Sequence, residues 1–169
     1  YYTGLHWQHK DQTEVRLYWY DNRGEPTTFK QGQYAWDSRF LSLAIQHQLT
    51  DRWRLLAQYL TGDTAMGQNT VVADYRSSYL MLNYQQAQHS FSVRYDHFNV
   101  TDKDQTATDD NNGKGHSWTF NWTYQWNEQL SLALEHSSLR SVQPNRTQWQ
   151  GWQAEAKQHS SSLLFGYRW

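Results

Sequence analysis

Residues 115–134 read GHSWTFNWTYQWNEQLSLAL. Trp118, Phe120, Trp122, Tyr124 and Trp126 occupy every second position, and Ser117, Thr119, Asn121, Thr123 and Gln125 fill the gaps. After Asn127, Glu128 and Gln129, Leu130, Leu132 and Leu134 resume the beat around Ser131 and Ala133. Successive side chains of a strand point to opposite faces, so the stretch predicts two strands and a tight turn. Each strand has one apolar face and one face of small polar groups. A helix would scatter the same rings around its circumference.

The period of two recurs along the chain, and helical periodicity does not. It predicts nine strands, near 1–9, 13–20, 38–49, 53–61, 74–84, 89–99, 116–126, 130–139 and 158–169. Most have about 9–11 residues, the length a tilted strand needs to cross a bilayer. Strands in soluble sheets are typically about 5–6 residues long. Short connections (9–12, 50–52, 85–88, 127–129) alternate with long ones at 21–37, 62–73, 100–115 and 140–157. Short turns at one end and long loops at the other are the layout of an outer-membrane barrel, its long loops extracellular.

Composition agrees. Hydrophobic residues make up only 37% of the 169, while 17% are aromatic and 10 are Trp. Such a chain fills a large aliphatic core badly, yet it is too ring-rich for disorder. Something outside the chain is expected to cover the rings. With 15 basic and 16 acidic residues and no basic cluster in the sequence, nothing meets a nucleic-acid backbone. The absence of Cys excludes disulfides and thiolate metal sites. No run approaches the 18 apolar residues of a transmembrane helix.

One face carries Leu5, Trp7, Leu17, Leu43, Leu55, Leu80, Val93, the five rings of 118–126, Leu132 and Phe165. Trp53, Tyr84, Trp126 and Trp169 lie beside short turns, and Trp19, Tyr59, Tyr95 and Trp118 lie toward long loops. These eight form the two aromatic girdles expected at the membrane interfaces. The opposite face carries Glu14, Arg16, Arg54, Arg94, Asp96, Asn121, Glu135 and Arg168 among many Ser, Thr, Ala, Asn and Gln. These eight are the candidate pore lining. The small inward residues predict a wide, wet lumen, because a narrow barrel must be filled by side chains. Four arginines against three acids predict a slight anion preference, or else ordinary ion pairing such as Arg94 with Asp96.

The fold class expected is all-β: an antiparallel up-and-down transmembrane barrel forming one domain over 1–169. Nine is odd, whereas bacterial single-chain barrels have even strand numbers. Two solutions follow. The chain is part of a barrel of about 16–18 strands, or strands two to nine close alone and residues 1–10 are extra. The start YYTGLHWQ, without Met, reads as a mature product, a cleaved product or a fragment.

VRLYWYDN (15–22), LLAQYLTGDTAMG (55–67), FSVRYDHFNVTDKD (91–104) and GHSWTF (115–120) resemble the C-terminal portion of a porin-like outer-membrane family, distantly similar to the phosphate-selective porins. The ending SSSLLFGYRW resembles the final strand of bacterial outer-membrane proteins. That resemblance implies an outer-membrane location and a barrel-assembly partner that reads the last aromatic. It does not imply phosphate, because that group relies on ladders of Lys and Arg that this chain lacks. The other expected partners are the lipid bilayer, lipopolysaccharide, a missing N-terminal portion or second chain, and copies of itself.

No cofactor is expected. The His residues lack ligand spacing, and the Asp-rich loop TDKDQTATDDNNGKG lacks the order of a calcium loop. His136 and Ser138 alternate on the apolar side of strand eight, similar to the His-x-Ser arrangement of outer-membrane phospholipases and lipid A deacylases. His159-Ser160-Ser161 repeats the pair. The reading expected is a passive diffusion channel, not an enzyme. The alternatives are a lipid acyl hydrolase using His136 and Ser138, and a structural sleeve around a partner protein.

Overall fold

A computed structural model gives the fold and describes every residue except Asn69, Gln105 and Thr108. Nine long strands form one antiparallel sheet: β1 (Tyr2–His9), β2 (Thr13–Asp21), β5 (Trp36–Gln48), β6 (Trp53–Met66), β7 (Val71–Gln86), β8 (His89–Asp102), β9 (Gly113–Gln125), β10 (Leu130–Val142) and β11 (Glu155–Tyr167). The order across the sheet is the order along the chain. Every neighbour pair is a hairpin, so the whole architecture comes from local connections. The turn between β1 and β2 has both Lys10 (φ 46°) and Asp11 (φ 54°) left-handed, the primed geometry that matches strand twist.

The strands are longer than the hydrophobic pattern predicts. β6 and β7 continue to Met66 and from Val71, and β8 and β9 reach Asp102 and start at Gly113. Much of the predicted long loops 62–73, 100–115 and 140–157 is therefore paired backbone. Beyond residue 61 the alternation fades because Gly62, Asp63 and Thr64 are small or polar on both faces, while the ladder hydrogen bonds persist. The loop predicted at 21–37 holds a small hairpin, β3 (Phe29–Lys30) with β4 (Gln33–Tyr34). The last one holds a short helix, α1 (Asn145–Gln150), ended by left-handed Gly151. The final strand starts earlier than predicted and stops at Tyr167, so Trp169 lies beyond it.

The sheet has no core. Ala73 is the one buried apolar side chain among the described residues. Leu5 is 72% exposed, Trp126 69% and Phe165 79%. Register makes this exposure coherent. Leu5, Leu17, Leu43 and Tyr59 lie in one cross-strand row, and Leu82, Val93, Phe120, His136 and Ser161 in another. The apolar faces of all nine strands are thus one surface. Among the described residues β1 and β11 pair with one neighbour each and not with each other, so the sheet is an open wall.

Candidate pore wall

Seven of the eight residues predicted to line a pore share the face opposite the apolar surface, and the register groups them. Glu14 and Arg94 lie in one cross-strand row, joined through Gln46, Leu56 and Met81. Arg16 and Asp96 lie in the next, joined through Ala44, Gln58 and Tyr79. Two charged pairs therefore face the same space from β2 and β8, four strand spacings apart, or about 19 Å along the sheet.

Each pair is locally neutral. Arg16 Nε donates to Glu14 Oε1 at 2.5 Å, and His6 Nε2 lies 2.7 Å from the same carboxylate oxygen. Arg94 forks onto Asp96, with Nη2 donating to Oδ1 at 2.5 Å and Nε to Oδ2 at 3.0 Å. The same guanidinium lies 4.1 Å from the centre of the Tyr79 ring. Asp96 also accepts from the Ser117 hydroxyl at 3.4 Å. The bidentate fork and the ring hold Arg94 in one orientation.

The remaining charges stand apart from these pairs. Arg54 donates to Gln48 Oε1 at 2.9 Å and Glu135 accepts from Asn121 Nδ2 at 3.4 Å. Arg168 lies past the end of β11, where its backbone N–H donates to Gln129 O. Neutral polar side chains complete the wall: Gln58 donates to Ser42, and the Asn83 amide donates to both Ser90 and Ser92.

The inner face is not as small-sided as predicted. Toward the long-loop end it carries Tyr2, Tyr18, Tyr20, Phe40, Tyr75 and Phe98. Tyr2 stacks on Tyr18 at 5.3 Å and Tyr20 on Phe40 at 4.9 Å. Tyr75 covers Gly62, and its hydroxyl donates to Arg39 O at 3.2 Å. Phe98 covers Gly115 so closely that a Cβ there would sit 2.7 Å from the ring. A ring over a glycine on the adjacent strand is a device that sets sheet curvature and register. LYWYD (17–21) carries the signal, since its rings occupy both alternating positions, but only the register places a glycine beneath Tyr75 or Phe98.

On the outer face the predicted girdle residues fall into two levels. Trp53 packs on Tyr84 at 4.6 Å beside the short turns, where Trp126 meets Tyr124 at 6.2 Å. Tyr95 packs on Trp118 at 4.8 Å at the upper level, with Trp19 and Tyr59 on the same face. Trp169 lies outside the strands, 99% exposed. Eight residue steps separate Trp118 from Trp126. At a strand tilt of about 40° that is about 20 Å of height, close to the apolar band of membrane barrels.

His136 does not meet Ser138. Its Nδ1 lies 2.9 Å from the Oγ of Ser161, directly across the strand pair, and its ring stacks on His159 at 6.0 Å. Among the described residues no carboxylate or amide touches this His, and no cluster of His, Asp or Glu could hold a metal ion.

The long-loop end is tied together by side-chain to backbone bonds. Asp104 accepts from the amides of Val72 at 3.0 Å and Thr106 at 2.9 Å. Partial burial pushes its carboxyl up, but the bonds from Thr106 and Val72 outweigh this and hold it below the usual carboxylate range. Asn145, at the start of α1, donates to Asp109 Oδ1 and accepts from the Asp110 amide, both at 2.9 Å. The last two long loops thereby brace one another.

A coreless antiparallel sheet, apolar and ring-flanked on one face and polar on the other, is the wall of a membrane β-barrel. The chain belongs to the β-barrel porin family described as "Putative beta-barrel porin-2, OmpL-like", which matches over residues 1–166. Among solved structures it is similar to LpxR from Salmonella typhimurium, at 9% identity and a TM-score of 0.42, over 98% of this chain and 76% of that one. No curated protein matches it.

Proposed function

We propose that this chain is part of the wall of a porin-like channel in the bacterial outer membrane, through which small solutes and ions diffuse passively. The observation that carries the reading is the continuous polar face, in register over nine strands behind an equally continuous apolar one. Membership of a porin family supports it. No reaction is assigned. Selection is by size, with Tyr18, Tyr20, Phe40, Tyr75 and Phe98 narrowing the outer half of the lumen, and by the charges of the wall.

Glu14, Arg16, Arg94 and Asp96 face the lumen as two neutral pairs, so they contribute local dipoles more than net charge. Arg54 and Arg168 on one side and Glu135 on the other set a weak bias toward anions. Trp19, Trp53, Tyr59, Tyr84, Tyr95, Trp118, Trp126 and Trp169 anchor the wall at the two interfaces. In hydrocarbon the unpaired edges of β1 and β11 would each leave a row of peptide groups without partners, which a bilayer does not tolerate. The edges are therefore covered by further strands, of the same protein or another copy, in a barrel of about 16–18 strands. Lipopolysaccharide outside and the barrel-assembly machinery, through the last strand, are the other partners.

The test is the mass of the native detergent-extracted species, followed by its conductance in a planar bilayer. Stepwise conductance that scales with salt, from a species well above one chain, is expected. A lumen without conductance would overturn the channel and favour the sleeve. A second reading, a lipid acyl hydrolase, draws on the contact between His136 and Ser161, though among the described residues no group orients the His.

A further inference from the structure

The outer-face row that runs apolar through Leu5, Leu17, Leu43 and Tyr59 passes Ser78 and turns basic over the last four strands. His97, His116, Arg140 and Lys157 are direct register partners across β8, β9, β10 and β11. Neighbouring strands lie about 4.8 Å apart, so the four groups span about 14 Å. Among the described residues none of the four is in an ion pair. Arg140 and Lys157 are thus adjacent cations with no acid between them, a pairing that an anion would relieve, and two imidazoles extend the row.

On these four strands the next outer-face row toward the short turns is Tyr95, Trp118, Ser138 and His159. Below that come Val93, Phe120, His136 and Ser161. The outer face of β10 and β11 therefore grades downward from cations, through hydroxyls and imidazoles, to hydrocarbon. The lower part opens into a groove of about 610 Å³ lined by Phe91, Val93, Phe120, Trp122 and Leu134, together with Glu135, His136 and Ser161.

We propose that this strip is a binding site for a phosphorylated lipid. The phosphate lies on Arg140 and Lys157, with His97 and His116 completing the row. Ester, amide or hydroxyl groups of the linker meet Ser138 and His159, and an acyl chain fills the groove. Each part of such a ligand finds its matching chemistry at the matching height. A free anion would use only the top row and leave the groove empty. The site gives the polar pair at His136 and Ser161 a role in recognition that needs no catalysis. It rests on the reading of this face as the one that meets lipid.

The test is electron spin resonance of the full-length protein in phosphatidylcholine vesicles, comparing spin-labelled phosphatidic acid with spin-labelled phosphatidylcholine. The protein is expected to immobilise both, with phosphatidic acid favoured. The double variant Arg140→Gln with Lys157→Gln should reduce that preference by about 25-fold, since each of the two cations contributes about fivefold at a membrane surface. Arg52→Gln, in a short turn at the opposite end, should leave it unchanged. Raising salt should weaken the wild-type preference, which checks the assignment without any variant. Equal immobilisation of the two lipids by the wild type overturns the proposal and leaves the membrane reading intact. Displacement of phosphatidic acid by millimolar inorganic phosphate marks a soluble-anion site and also overturns it. Immobilisation of neither lipid overturns the membrane reading itself.

Discussion

Arg94 lies along its own strand and grips Asp96 with two nitrogens, at 2.5 and 3.0 Å, instead of extending away from the sheet. The charge that a sequence count assigns to the pore is thus cancelled where it stands. Asp96→Asn should uncover it. The permeability ratio in a salt gradient is expected to move toward anions by a factor on the order of two. A reversal potential unchanged by Asp96→Asn would mean that this part of the wall does not face the ion path.

Arg54 tests the complementary case. Its guanidinium is held by the neutral Gln48 side chain, and among the described residues no acid is ion-paired with it. Arg54→Gln should move selectivity toward cations, also on the order of twofold, without loss of folded protein. The check is the same reversal potential, together with heat-modified migration on a gel.

Ser138→Ala and Ser161→Ala are expected to leave conductance unchanged, and the wild type is expected to release no fatty acid from phospholipid. Release of acid by the wild type, lost in Ser161→Ala but kept in Ser138→Ala, would reinstate the hydrolase with the serine that touches His136. Loss only in Ser138→Ala would contradict the observed pairing.

Gly115→Leu should destabilise the wall. A Cβ at Gly115 would lie 2.7 Å from the Phe98 ring and 2.6 Å from Arg140 O. The ring must leave its seat or the strands must part, at a cost of about 1–3 kcal/mol. A lower midpoint of unfolding in denaturant is expected. Adding Phe98→Ala should recover part of the loss, because the two effects share one contact.

The tie between Asp104 and the amides of Val72 and Thr106 has a pH window. Because the folded carboxyl sits below its ordinary value, the tie contributes fully above the usual carboxylate range and is lost as pH falls through the lowered value. A spin label placed by Ala107→Cys should report slow motion at neutral pH and a narrower line in acid. Asp104→Asn should give the narrow line already at neutral pH. A line that stays broad in that variant would show that other contacts hold the loop.

The alternation of Trp118 to Trp126 with Thr and Asn determined by itself that these residues form a strand between hydrocarbon and water. Period two is a property of one strand and needs no partner to be read. The division of Leu17, Arg16, Phe91 and Ser92 between faces was legible for the same reason. The strand ends were not, since polar residues on both faces hide a ladder that backbone groups alone sustain. Nor were the row of His97, His116, Arg140 and Lys157, the contact of His136 with Ser161, or the seating of Phe98 on Gly115. Each joins residues of different strands, and a slip of the register between two strands would separate them. The tertiary structure decided these because hairpin turns such as Lys10–Asp11 set which residue faces which, and distance between side chains exists only once that offset is chosen.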